Sequence, residues 1–103
     1  MTGDRDTTAR LQRLLRVDAA AAGCTIRALD EDSHAVPWRS AWFDGTRHHL
    51  HFQARVDGRL DAWLGTLDAR EWRVPGQLVI DWAVARHGDR LILTALALDP
   101  DSA

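Results

Sequence analysis

Two aspartates stand among apolar neighbours, and of all residues in this chain they are best placed for acid–base chemistry. Asp81 is flanked by Ile80 and Trp82 in the most hydrophobic run, Gln77 to Arg86. Strand alternation puts Leu78, Ile80, Trp82 and Val84 on one face and Val79, Asp81, Ala83 and Ala85 on the other. A carboxyl group so placed has its pKa raised by desolvation, as a general acid or base requires, unless Arg55 or Thr94 pairs with it. Asp18 falls on a helical wheel at about 80°, between Leu14 at about 40° and Leu11 and Leu15 at about 100° and 140°. It marks the wet edge of an apolar face or sets a carboxylate against the core. Should the two meet, they could share a proton or split acid and base roles, which makes Asp18 and Asp81 the candidate catalytic residues.

A second chemistry is metal ligation. His48, His49 and His51 lie in one strand-like run, where His49 and His51 share a face about 7 Å apart. That spacing offers two imidazoles to one ion, and a stable site needs a third and usually a fourth ligand. His34, Asp30 and Asp32 are the side chains available, and no spacing rule places them. A polar strand face is the simpler reading, so the expectation is no metal and no other cofactor.

Five tryptophans form a third group. Trp38, Trp42, Trp63 and Trp82 occupy expected core positions, either as packing or as the lining of an apolar-ligand pocket between helix and sheet. Trp72, between Glu71 and Arg73, belongs to a polar connection, folded back as a lid or partly exposed. Cys24 is the lone cysteine, so no intrachain disulfide forms, and it reads as a small core residue in a reducing compartment. No Gly-rich phosphate loop, serine elbow or Cys–His constellation occurs, the serines being Ser33, Ser40 and Ser102. Nucleotide-dependent and serine-type enzymes are thereby disfavoured.

These residues must be positioned by a short list of elements. Leu11, Leu14, Leu15, Ala19, Ala21 and Ala22 make one apolar face of a helix over 8–22, capped by Asp6, Thr7 or Thr8 and ended by a left-handed Gly23. Cys24 to Leu29 reads as a strand, followed by the acidic loop from Asp30 to Ser33. Val36 to Trp42 and Thr46 to Val56 form a hairpin. A two-residue Asp-Gly turn would put Arg39 on the face of Leu50 and Phe52. A three-residue turn ending in a left-handed Gly45 instead puts Trp38 and Trp42 there and sends Arg39, His49, His51, Gln53 and Arg55 to the wetter face. The second register is expected. Leu60, Trp63, Leu64 and Leu67 then define a short helix, Asp68 to Gly76 a polar connection, and Gln77 to Arg86 and Arg90 to Leu98 the last two strands.

The expected fold is therefore α+β, in the order α-β-β-β-α-β-β. It is one domain over 1–103, with a mainly antiparallel five-stranded sheet, a long N-terminal helix and a short second one, and with 1–6 and 99–103 frayed. This order resembles that of the small chaperones of type III secretion effectors, which are acidic dimers, although the final helix of that group is missing here.

Size and charge fit that reading. The chain has 103 residues, 46% apolar and 27% charged, with a formal charge of −2. Roughly 65% of the unfolded surface can be hidden at this length, enough for one core. All 13 basic residues are Arg, but they form no block and 15 acidic residues are dispersed among them, so nucleic-acid binding is not expected. Nor is export or membrane insertion, since no run approaches the ~18 apolar residues of a span. The last two strands are apolar on both faces, which two helices are too few to cover, and this predicts a homodimer. The function expected is a non-catalytic, cytoplasmic interaction or ligand-binding module, whose partner is a protein or a small apolar ligand. The alternative is a compact acid–base enzyme or apolar-ligand pocket centred on Asp18 or Asp81.

Overall fold

In the computed structural model, residues 4–74 and 76–99 are described. The elements are α1 (Asp4–Ala21), β1 (Ile26–Ala28), β2 (His34–Arg39), β3 (Asp44–Ala54), α2 (Gly58–Leu64), β4 (Trp72–Val74), β5 (Gln77–His87) and β6 (Arg90–Leu98). The class and order are those the sequence implies, with β4 as a short additional strand. All strand pairs are antiparallel. The sheet runs β1-β3-β6-β5-β4, and β2 lies beside β3 on the same side as β1.

Helix α1 turns Thr8, Leu11, Gln12, Leu15 and Ala19 into the protein, with Leu14 half-buried and Ala21 and Ala22 exposed. The buried stripe thus follows helical spacing but carries two polar members. Because α1 begins at Asp4, residues 4–6 are helical, and Asp6, Thr7 and Thr8 sit inside the helix instead of capping it. Residues 1–3 and 100–103 of the expected frayed ends lie outside the described residues. Gly23 ends the helix at φ 83°, the left-handed conformation that suits glycine. Asp57 caps α2, its carboxylate accepting from the Leu60 N–H at 2.9 Å.

Both helices lie on one face of the sheet. Leu11, Leu15, Leu60, Trp63 and Leu67 join Leu50, Phe52, Ala54, Leu91, Leu93, Ala95 and Ala97 in a single buried cluster. The odd residues of β3 and the even residues of β6 point the other way, where no helix among the described residues covers them.

Three expectations are corrected here. In the β2–β3 hairpin, Trp38 pairs with Gly45 and Pro37 with Thr46, so Trp38 shares the uncovered face with His49 and not the face of Leu50 and Phe52. Trp42 is in the connection and 76% exposed. The reversal is made by Ser40, whose Oγ accepts from the N–H groups of Trp42 and Phe43 and whose own N–H donates to the Phe43 carbonyl. Arg39 falls on the core-side face but beyond the end of the core, beside Asp44 at 3.0 Å, so it stays in water. Secondly, β5 carries a bulge between Ile80 and Ala83. Asp81 takes a left-handed φ of 64° there, which Asp tolerates better than most side chains. The extra residue swaps the faces: Leu78, Ile80, Ala83 and Ala85 are on the uncovered side, and Val79 and Trp82 are in the core. Thirdly, Trp72 is buried, on an edge strand, with its ring centroid 5.6 Å from that of Trp82.

Candidate functional site

Asp18 is held by two elements at once. Arg70 grips it in a fork, Nη1 to Oδ1 at 2.9 Å and Nη2 to Oδ2 at 2.5 Å, and the Trp63 indole N–H donates to Oδ2 at 2.7 Å. These contacts fasten α1 to α2 and to the segment before β4, where the Arg70 guanidinium also lies 4.5 Å over the Trp72 ring. The Arg70 hydrogen bonds hold the carboxyl below its ordinary range, against the opposing effect of burial and with help from Trp63. That is the signature of a structural ion pair; a general acid would need the opposite shift.

This gives a stability prediction with a definite sign. The folded pKa of Asp18 lies below its unfolded value, so its contribution is complete above the unfolded pKa and is lost as pH falls through the folded one. Asp18→Asn is expected to cost about 1–2 kcal/mol near neutral pH, a range reduced for partial solvent exposure. Thermal unfolding of both proteins, followed from about pH 5 to about pH 2.5, should show the wild type losing more and the gap closing. A gap that widens on acidification would contradict the assignment.

Asp81 stands on the opposite side of the sheet from α1. Its carboxylate is mostly exposed and reaches across β6 to Arg47, at 3.7 Å. The structure therefore does not bring Asp18 and Asp81 together. The buried thiol of Cys24 is pushed up by desolvation and by the nearby charge of Asp57, with Arg59 opposing, as befits a core residue.

The histidines gather more closely than their spacing in sequence shows. His34 on β2 lies directly opposite His49 on β3. Their rings stack, with centroids 4.5 Å apart and planes 9° from parallel, and His51 is 6.2 Å from His34. Ring nitrogens carry their lone pairs in the ring plane, so parallel stacked rings do not converge on one ion. Among the described residues no group of three or more His, Cys, Asp or Glu could hold a metal. Asp32 pairs with Arg90 at 2.8 Å beside the cluster. His49 is held below the ordinary histidine value first by burial, then by His34, Arg47 and His51. His51 is lowered by burial, against the attraction of Asp32 and with help from Arg90 and His34.

His48, to which the sequence assigns no role, is fully buried on the core side, where its Nδ1 and Thr8 Oγ1 share a hydrogen bond of 2.8 Å. Its even position, in phase with Leu50 and Phe52, is the available signal. Above it, between α1 and the β1–β2 connection, is an open cleft of about 960 Å³ lined by Thr8, Gln12, Arg16, Arg27, Asp30 and Ser33 among others. Gln12 donates to Ser33 Oγ at 2.9 Å, which accepts the His51 N–H and donates to the Leu29 carbonyl. The polar groups on its floor thus tie α1 to the sheet.

The tryptophans do not surround a common cavity. Trp63, Trp72 and Trp82 pack in the core, while Trp38 is half-buried on the uncovered face and Trp42 is exposed. A cleft of about 400 Å³ beside Asp18 and Arg70 touches one of them, Trp63.

The uncovered sheet face remains. Its rows, read across β2, β3, β6 and β5, are Trp38, Gly45, Leu98 and Leu78; Val36, Arg47, Leu96 and Ile80; then His34, His49, Thr94 and Ala83. His51, Ile92 and Ala85 follow. One end is apolar, extended by exposed Trp42 and Phe43 at the hairpin tip, and the other is polar. Searches against protein-family models, curated proteins and solved structures find no match for this chain, so the resemblance in element order to secretion-effector chaperones carries no functional assignment.

Proposed function

We propose that the protein is a small, cytoplasmic, non-catalytic interaction module that pairs with a second copy of itself through the uncovered face of its sheet. The observation that carries this reading is that face: of the exposed large apolar residues Val17, Val36, Trp42, Phe43, Val56, Ile80 and Val84, Val36 and Ile80 lie on it and Trp42 and Phe43 on the adjoining hairpin tip. Strands of 6, 11, 9 and 11 residues, at about 3.3 Å per residue and about 4.8 Å apart, offer roughly 590 Å² per copy. That is near the lower end of the ~600–1,000 Å² per partner typical of specific interfaces.

Charge also favours a second copy. A two-fold axis running along β6 lays β3 of one molecule over β5 of the other, apolar end on apolar end. Each Arg47 then faces the Asp81 of the second copy, and the two ion pairs interlock. The acid–base alternative has less support, because Asp18 and Asp81 are both engaged by arginines. A phosphate-binding stripe has less support too, since Arg39, Arg47, Arg70, Arg86 and Arg90 all have carboxylate partners. No helix among the described residues is long and apolar enough to cross a membrane.

Ile80→Lys tests the interface. Ile80 is 37% exposed, so the fold tolerates the change, while a cation is brought against Arg47 of the second copy. Sedimentation or light scattering at about 50 µM should find a wild-type dimer and a tenfold or larger rise in Kd for the variant. A monomeric wild type, or an unchanged Kd, would reject the reading.

A further inference from the structure

We propose that this interface is gated by protons: it closes while His49 and His51 are neutral and opens when they become charged. The inference rests on the reading of the uncovered face as the dimer interface and adds how that interface is controlled.

The three imidazoles of His34, His49 and His51 lie on β2 and β3, at the polar end of the face and next to the Arg47–Asp81 pair. The charged groups around them already balance. Arg47 on β3 is answered by Asp81 in the β5 bulge, and Arg90 on β6 by Asp32 before β2. The neighbours across β6 are Thr94 and Ile92, which bring no charge. A proton taken up here finds Asp32 already engaged by Arg90, and the other carboxylates nearby, Asp30 and Glu31, line the cleft on the α1 side together with His34. The His34 ring stacked 4.5 Å from that of His49 adds to the opposition to charge on His49.

Dimerisation removes the remaining relief. With the two-fold axis along β6, His49 comes to lie over Ala83 of the second copy and His51 over its Ala85, whose methyl groups accept no hydrogen bond. An imidazolium in the monomer can keep water on that side, and in the dimer it cannot. The direction follows from linkage. If the dimer binds protons less readily than the monomer, acidification favours the monomer and Kd rises as pH falls through the histidine range. Burial, which already depresses His49 and His51 in one copy, acts further in two. Every histidine that must stay neutral counts twice, once in each molecule.

The test is sedimentation equilibrium of the full chain at about pH 7.5 and about pH 5.5, with the His49→Gln/His51→Gln double variant beside it and circular dichroism to confirm folding. For the wild type, Kd should rise about tenfold to a hundredfold on acidification, and for the variant by less than about threefold. A wild-type dimer whose Kd does not move, or a variant that dissociates as the wild type does, overturns the gate and leaves the interface standing. A wild type that is monomeric at both pH values overturns both. Should the variant not dimerise near neutral pH, the histidine ring resonances decide. Their pKa values must fall as rising wild-type concentration converts monomer to dimer, and values that stay fixed overturn the gate.

Discussion

Phe52→Ala is expected to remove about 3–5 kcal/mol of stability, most of what a domain of this size possesses. Phe52 is fully buried near the C-terminal end of β3, between Ala28 of β1 and Leu91 of β6, on the face that α1 and α2 cover. Truncation there loses the transfer energy of the ring and leaves a cavity that β3 and its two neighbouring strands, pinned by their hydrogen bonds, cannot close. The melting temperature should drop by about 15 °C or more. Trp42→Ala is the matching control. It removes a larger side chain from a position 76% exposed in one copy and, at a concentration where the protein is monomeric, should change stability by no more than about 0.5 kcal/mol. Urea unfolding of the three proteins checks both. Similar losses for Phe52→Ala and Trp42→Ala would return Trp42 to the core and restore the other hairpin register.

That register shows how far the sequence reaches. Periodicity identifies both helices and places Leu50, Phe52, Leu60 and Trp63 inside, because long apolar side chains at regular spacing have one favourable arrangement. The hairpin is misleading in sequence because of Gly45. A glycine after Asp44 looks like a left-handed turn residue, yet Gly45 is within β3 for another reason: a Cβ there would lie 2.5 Å from the Ala97 carbonyl oxygen. Close approach of strands and a left-handed turn both favour glycine, and composition alone does not separate them. The observed register turns Arg39 to the core side, which reads as costly in sequence, but a strand can outrun its core, and here it does. The bulge at Asp81 is equally silent. Strict alternation assumes an unbroken ladder, and one left-handed residue inverts the assignment of every position on one side of it.

The candidate site was legible in its members and not in its relations. His49 and His51 share a face, as period two requires, but the stacking of His34 on His49 depends on cross-strand register. The partner of Asp18 was also beyond sequence reasoning, since Arg70 is 52 residues away and is delivered by the connection after α2. An apolar second face on β6 was legible, and it led to the expectation of a covering partner. What the sequence missed was the Arg47–Asp81 pair, set between the apolar end of that face and its histidines.

That pair supplies the sharpest prediction about assembly. Arg47→Glu is expected to abolish the dimer, raising Kd close to a thousandfold, or about 4 kcal/mol. In the two-fold arrangement each introduced carboxylate faces Asp81 of the other copy, so the repulsion occurs twice and away from bulk water. Within one molecule the same change sets two carboxylates near each other at a site where Asp81 is mostly exposed. There it should cost at most about 1 kcal/mol. The remedy tests the geometry. Asp81→Asn removes the opposing charge while keeping a residue that accepts the left-handed backbone of the bulge, and an arginine at that position would not be so tolerant. The Arg47→Glu/Asp81→Asn double variant should therefore recover dimerisation in good part. Because Arg47 and Asp81 also lie 3.7 Å apart within one molecule, facing strands are tested by mixing the single variants Arg47→Glu and Asp81→Asn, whose mixed dimer should form where Arg47→Glu alone does not. Wild-type affinity in Arg47→Glu, or no recovery in the double variant, would move the two-fold axis away from β6.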